Sequence, residues 1–104
     1  MNLEFQDKAG NPLKRGDFIV YGHALGRCAG LRYGVVVEIK EGKIGWSQTG
    51  PKLHVIGIDD DWDHRAPTVC RKGVLSFSSR VLKVRKDQIP LNQLSLLEKA
   101  LGDL

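Results

Sequence analysis

The feature that most constrains the fold is a pair of short apolar segments, each preceded by glycine, between residues 13 and 40. Gly16-Asp17 is a turn pair before a first apolar run, Phe18 to Tyr21. A second run, Val35 to Ile39, contains three consecutive valines. β-Branched and aromatic residues favour strands, whereas Gly and Asp favour the turns between them. The segment therefore predicts two β-strands, joined by a long, exposed, glycine-rich loop from Gly22 to Tyr33.

The second of these strands has an alternating pattern. Successive side chains of a strand point to opposite faces of the sheet. The alternation assigns Val35, Val37 and Ile39 to one face, and Val36, Glu38 and Lys40 to the other. The pattern predicts a sheet that is packed on one side and wet on the other.

The rest of the chain adds further strands and one helix. Leu3–Gln6 and Leu13–Lys14 are predicted to form a small hairpin around the turn residues between them. The other predicted strands are one at Lys52–Ile58 that is central or covered on both sides, one at Val74–Phe77 with Leu75 and Phe77 inward, and a last one at Arg80–Arg85 with Leu82 and Val84 inward. Turns or loops are predicted at Glu41–Lys43, Ser47–Pro51, Asp59–Pro67 and Lys72-Gly73, with a brief return strand at Ile44–Trp46 and an ambiguous stretch at Thr68–Arg71.

The C-terminal segment changes period. Leu91, Leu94, Leu97 and Leu101 recur at helical spacing, with Pro90 before them and Gly102 after them. This predicts a helix at about residues 90–101 that lays its leucines over one open end of a barrel. A helix of this length depends on packing for its stability.

Length and composition bound the class of protein. With 104 residues, 41% hydrophobic and 27% charged, we expect a single globular domain over residues 1–104. Twelve glycines favour a mainly β architecture. No apolar run approaches the ~20 residues that cross a bilayer, and the first residues do not resemble a signal peptide. We therefore expect a cytoplasmic protein whose two cysteines, Cys28 and Cys70, are free thiols.

The first half of the chain resembles small SH3-like barrels of the KOW type, which occur in transcription factors and ribosomal proteins. The matching residues are Lys14-Arg15-Gly16-Asp17-Phe18-Ile19-Val20, then Gly26 or Gly30, then Gly34-Val35-Val36-Val37. The opening from Phe5 to Tyr21 is also similar to small phage proteins, which would place this one in a host cytoplasm. The resemblance implies an SH3-like barrel of about five to seven short strands, with a binding role rather than catalysis.

No residue pattern supports a catalytic or metal site, so we expect no enzyme, cofactor or metal. Asp59, Asp61 and Asp63 have the spacing of a calcium loop, but His64 and Cys70 replace its required Gly and Glu. Cys28, His54, His64 and Cys70 lack the short paired spacing of zinc ligands. Cys28 lies near His23, but no residue is identified that would orient the histidine or form an oxyanion hole.

The basic residues provide the better functional indication. The net charge of +4 and the pI near 9.3 permit binding to nucleic acid. In a small barrel, three groups of cations come near one another and form a patch able to contact phosphates. They are Lys14 and Arg15 before the first strand, Arg27 and Arg32 in the glycine-rich loop, and Arg80, Lys83, Arg85 and Lys86 along the last strand. The first hypothesis is therefore a module that binds nucleic acid or a nucleoprotein, with Tyr21, Tyr33 and Trp46 as stacking faces. The alternative explanation is a solubilising surface.

A second hypothesis belongs to another class of function. Trp62 lies in a polar, acidic stretch and Trp46 in a predicted turn region. An exposed aromatic residue can anchor a protein partner. The chain would then be a phage-encoded adaptor or inhibitor that binds a host enzyme through Trp46, Trp62 or the leucine helix.

Overall fold

The chain forms one open antiparallel sheet and a C-terminal helix. The computed structural model describes residues 4–25, 28–44, 46, 48–59, 68–76 and 78–103. Its strands are β1 (Phe18–Leu25), β2 (Cys28–Ile44), β3 (Gln48–Asp59), β4 (Thr68–Leu75) and β5 (Val81–Lys83), and its helix is α1 (Leu91–Gly102). Short 3₁₀ helices, Ser78–Arg80 and Lys86–Gln88, flank β5. The mainly β prediction is confirmed, and the predicted helix differs from α1 by one residue at each end.

The strand order across the sheet is β4-β3-β2-β1-β5. The first four strands are successive antiparallel neighbours, and β5 then pairs with the outer side of β1, from Ile19 opposite Lys83 to Tyr21 opposite Val81. The third strand was predicted to be central or covered on both sides, and the second form is confirmed, because β3 lies between β2 and β4 and buries side chains on both faces. No helix in the described ranges is long and apolar enough to cross a bilayer.

The predicted loop from Gly22 to Tyr33 is wrong. β1 continues to Leu25 and β2 begins at Cys28, with paired residues from Gly22 opposite Leu31 to Leu25 opposite Cys28. The ladder hydrogen bonds belong to the backbone, so glycines do not end a strand whose partner continues.

The turns predicted at residues 41–43 and 72–73 and the loop predicted at residues 47–51 are also wrong for the described residues, because backbone pairing continues through them. Residues 41–43 and 48–51 belong to β2 and β3, and pair with each other. Lys72 and Gly73 continue β4, where they lie opposite Ile56 and Val55. The stretch at Thr68–Arg71 is also part of β4.

A β-bulge overturns the predicted alternation of the second strand. The register of β2 against β3 shifts between Val36 and Glu38, which leaves Val37 as an additional residue. Val35 and Val37 therefore pack on one face, whereas Val36 and Ile39 pack on the other. Because the bulge changes the parity, Ile39 lies on the face opposite to the predicted one.

Both faces of the sheet are packed, so the prediction of one wet face is wrong. One group of residues, called here the inner core, consists of Phe5, Leu13, Ile19, Tyr21, Val36, Leu53, Val55, Leu75 and Val81. The helix-side core consists of Phe18, Val35, Ile56, Ile58, Ile89 and Leu97. α1 contacts β2, β3 and β4 and covers the second face.

Three of the predicted inward positions differ from the structure or lie outside it. Val81 lies opposite the inward Tyr21 and is 1% exposed, so its neighbour Leu82 points to the other face and is 40% exposed. Leu91 begins α1 and is 80% exposed. Leu75 and Val84 are buried or partly buried as predicted. Phe77 lies outside the described residues.

The predicted N-terminal hairpin is present in the described residues. Gln6 and Pro12 form an antiparallel bridge, and the Leu13 N–H donates to the Phe5 carbonyl oxygen at 2.9 Å. Phe5 and Leu13 contribute to the inner core. Lys8 donates its backbone N–H to the carbonyl oxygen of Val81 at 2.8 Å, so the hairpin lies against β5.

Candidate nucleic-acid interface

A tight turn places Lys14 and Arg15 at the start of β1. The Asp17 N–H donates to the Lys14 carbonyl oxygen at 3.1 Å, and the Asp17 Oδ2 accepts the Lys14 N–H at 2.9 Å. Gly16 has a φ of +91°, which favours glycine. The Gly16 N–H also donates to the Val36 carbonyl oxygen at 2.9 Å, so the turn is fixed to β2. Lys14 and Arg15 are therefore exposed cations on a rigid turn.

The end of β5 brings more cations to the same place. Lys83 lies opposite Ile19, and its Nζ is 3.6 Å from the Asp17 Oδ2. The chain continues beside β1, because the Val84 N–H donates to the Phe18 carbonyl oxygen at 2.9 Å. The Nζ of Lys86 then lies 5.7 Å from the centroid of the Phe18 ring. Pairing of β5 with β1 thus joins segments that are far apart in sequence.

We call this surface the basic end. Its five exposed cations are Lys14, Arg15, Lys83, Arg85 and Lys86. Two carboxylates lie against it, Asp17 beside Lys83 and Asp87 with its Oδ1 3.3 Å from the Arg85 Nε. The Arg85–Asp87 pair is exposed, and exposed ion pairs are weak and easily exchanged. The Asp17 side chain is only 11% exposed, whereas Lys83 itself is exposed on the surface beside it.

The other predicted cations lie elsewhere. Arg80 directly precedes β5, whereas Lys83 is the last residue of that strand. The Nη2 of Arg80 donates to the Gly22 carbonyl oxygen at 3.0 Å. Arg32 lies in β2 rather than in the predicted loop and is 6% exposed, so it is not one of the exposed cations of the basic end. Arg27 lies outside the described residues.

The burial of Arg32 follows from two glycines that lie opposite each other. Gly34 of β2 pairs with Gly57 of β3, and the Tyr21 ring covers both. A Cβ at Gly57 would lie 2.7 Å from the Arg32 Cδ and would overlap the Tyr21 hydroxyl. The glycines therefore make the space that holds both large side chains. Tyr21 is buried there and offers no stacking face.

Trp46, which was predicted to bind a partner, is fully exposed in the turn between β2 and β3. Tyr33 is instead partly buried against the helix-side core. Trp62, Asp61, Asp63 and His64 lie outside the described residues, and no side-chain position is described for His23, Cys28, Asp59 or Cys70. Among the side chains that are described, no three metal-binding groups converge.

Asp7 is a buried group that the sequence analysis missed. Asp7 is 3% exposed, and its carboxylate accepts hydrogen bonds from the backbone N–H groups of Lys83, Asn11 and Ala9, and from the Asn11 side chain. Burial by itself raises the pKa of the Asp7 carboxyl, but these hydrogen bonds together outweigh it and hold that pKa below its usual value. Asp7 positions Lys83 through a bond of 2.7 Å. The turn residues around Asp7 allowed the turn to be predicted from the sequence. They did not indicate the hydrogen bond that Asp7 accepts from Lys83.

Comparison of the chain with protein-family models, with curated proteins and with solved structures gave no match. The functional argument therefore depends on the geometry of the basic end and of Trp46.

Proposed function

We propose that this chain is a non-enzymatic binding module that contacts the phosphate backbone of nucleic acid, free or within a nucleoprotein, through the basic end. The observation that carries the proposal is the convergence of five exposed cations, with two carboxylates, where β1 begins and β5 ends. Phosphate contacts by Lys and Arg supply most of the affinity of non-specific nucleic-acid binding.

The rigidity of this surface supports the proposal. Lys14 and Arg15 extend from a turn that is hydrogen-bonded to β2, and Lys83 belongs to a strand held by both β1 and Asp7. Cations whose backbone is already ordered cost less conformational entropy when they bind.

The finer form of the fold belongs to the same proposal. We take the sheet to be an SH3-like barrel that is incompletely closed. Its two edge strands, β4 and β5, contribute Leu75 and Val81 to one inner core, which supports strong curling of the sheet. Proton–proton contacts between the methyl groups of Leu75 and Val81 in NMR spectra are the corresponding test.

Salt-dependent binding tests the function. The probes are a labelled 12-nucleotide oligothymidylate and a labelled 12-bp DNA duplex. Affinity is measured by fluorescence anisotropy while the salt concentration is raised about fourfold, from about 50 to about 200 mM. If about five phosphates are neutralised, this increase in salt weakens duplex binding by roughly 10²–10³-fold. The double variant Arg15→Gln/Lys86→Gln should reduce the slope of log K against log salt by about 2.

The control is Lys8→Gln/Lys99→Gln, which removes the same charge from exposed positions outside the basic end. Its slope should equal that of the unmodified protein. An identical loss in both double variants would mean that net charge, rather than the basic end, governs binding. Binding of neither probe at 50 mM salt would reject the proposal and leave the protein-binding adaptor as the hypothesis to pursue.

A further inference from the structure

The hairpin of β2 and β3 extends well beyond the sheet. β1 pairs with β2 only as far as Val35, and β4 pairs with β3 only from Leu53 onward. Five further residue pairs, from Lys40 opposite Lys52 to Ile44 opposite Gln48, have no third strand beside them in the described part of the chain. At about 3.4 Å per residue, this two-stranded ribbon is roughly 17 Å long. We call residues 40–52 the arm.

The arm carries cations on both of its faces. Directly opposed residues share a face, so Lys40 and Lys52 lie on one side and Lys43 on the other. Gly42 lets the Lys52 chain cross the ribbon, because a Cβ at Gly42 would come within 2.8 Å of the Lys52 Cδ. The single carboxylate of the arm, Glu41, accepts a hydrogen bond from the Thr49 hydroxyl at 3.2 Å.

Trp46 lies at the tip of the arm and is fully exposed. Tryptophan has one of the largest apolar surfaces among side chains, and leaving it in water forgoes the free energy of burial. An indole at the end of a basic ribbon is therefore placed for contact with something outside this chain.

The arm and the basic end lie at the same end of the sheet. β1 begins there at Phe18, and the antiparallel β2 runs toward that end and finishes at Ile44. β5 is also antiparallel to β1, so Lys83 and the cations after it lie at the start of β1. A single polyanion can therefore contact both surfaces.

We infer that Trp46 is a stacking platform for a base of single-stranded nucleic acid, whose phosphates contact the lysines of the arm and the basic end. This inference rests on the proposed function and names the nucleic acid as single-stranded. The faces of bases are accessible in single strands and hidden inside a duplex. Stacking of a base on an aromatic side chain is worth about 1–3 kcal/mol, which corresponds to about 5- to 150-fold in affinity.

The surroundings of Trp46 favour a base over a lipid or a protein. Lys43, Gln48 and Thr49 are exposed and polar, so Trp46 is the only large exposed apolar group among the described side chains of the arm. One ring offers little apolar area to a bilayer. Protein hot spots lie at the centre of a patch whose rim excludes water, and the described side chains around the tip, Lys43, Gln48 and Thr49, form no such rim. Charge complementarity with phosphates adds to the preference.

The test compares Trp46→Ala with the unmodified protein, using the same 12-nucleotide oligothymidylate and 12-bp duplex. We expect Trp46→Ala to weaken oligothymidylate binding by about 5- to 150-fold, with duplex affinity within about twofold and the salt slope unchanged. The oligothymidylate affinity of Trp46→Phe should lie between that of Trp46→Ala and that of the unmodified protein. Oligothymidylate should quench part of the tryptophan fluorescence of the unmodified protein. This quenching should be absent in Trp46→Ala.

Leu91→Ala is the matched control, because Leu91 is another strongly exposed apolar residue that lies outside the arm. It should bind both probes as the unmodified protein does. Unchanged oligothymidylate affinity in Trp46→Ala would overturn the stacking inference while the basic end keeps its function. Binding of neither probe rejects both. A blue shift of Trp46 emission with anionic vesicles, without any response to oligothymidylate, would assign the tip to a lipid surface and overturn the inference.

Discussion

Gly57 has no side chain, and Tyr21 and Arg32 occupy the space in which one would lie. Its position opposite Gly34 lets an aromatic ring cover two strands at a point where neither contributes a side chain. The burial of Tyr21 and Arg32 therefore depends on a residue that neither of them adjoins in sequence.

Gly57→Ala should destabilise the protein, because the new methyl group meets Tyr21 and Arg32 in a packed core. Overpacking of this kind costs about 1–3 kcal/mol in the free energy of unfolding, measured by urea denaturation. Gly73→Ala is the control, since its Cβ would lie 3.5 Å from the Val55 side chain, an ordinary contact distance. Equal stability of the two variants would contradict the crowding at Gly57.

The residue scale also shows why part of the candidate site was predictable. Lys14, Arg15, Lys83, Arg85 and Lys86 were recognisable as cations near predicted strands, and their exposure agrees with that prediction. Arg32 was assigned to a loop because the glycines around it suggest turns. Its true environment depends on the register that places Gly34 opposite Gly57, and that register belongs to a long, bulged β2 that the local pattern of the sequence did not predict.

At the scale of single elements, α1 depends on one central leucine. Leu97 is fully buried against the sheet, while Leu94 and Leu101 on the same side are partly buried. A helix of 12 residues has little stability of its own, so this packing holds it in place.

Leu97→Ala should lower the free energy of unfolding by about 2–5 kcal/mol, the usual range for a leucine truncated in a core. Leu91→Ala, in the same helix, should change it by less than about 0.5 kcal/mol because Leu91 is exposed. Urea denaturation followed by circular dichroism measures both changes in the free energy of unfolding. A similar loss in the two variants would show that the helix, rather than its packing, limits stability.

The secondary-structure elements differ in how accurately they were predicted from the sequence. α1 was predicted to within one residue at each end, because four leucines at helical spacing and the flanking Pro90 and Gly102 are local signals. The length of β2 was not predicted. Its 17 residues include several glycines, and only backbone pairing with β1 and β3 keeps them extended. The arm was missed for this reason.

At the scale of the whole molecule, Asp7 joins the N-terminal hairpin to β5. Because hydrogen bonds to the ionised carboxylate lower the pKa of Asp7, this residue stabilises the fold above its unfolded pKa. That contribution is lost as the pH falls from about 4 through the lowered pKa of the folded state.

Asp7→Asn should lower the free energy of unfolding at pH 7 by about 1–3 kcal/mol, because an amide cannot replace a carboxylate that accepts from several N–H groups. The difference from the unmodified protein should shrink when the pH is lowered from about 4 to about 2. Urea denaturation across this pH range measures it. Asp87→Asn, at an exposed ion pair, is the control and should change stability little. A difference that stays constant down to pH 2 would contradict the role of the ionised carboxylate.

The position of β5 has a consequence for the order in which the chain can fold. β5 lies between β1 and the N-terminal hairpin, and the bond from Lys83 to Asp7 spans 76 residues. While the ribosome is still synthesising residues before 81, the outer edge of β1 has no partner and the hairpin has no strand to bind. Contacts this distant in sequence slow folding, and an unpaired strand edge is a template for aggregation. The nascent chain therefore carries its greatest risk of misassembly until β5 has emerged.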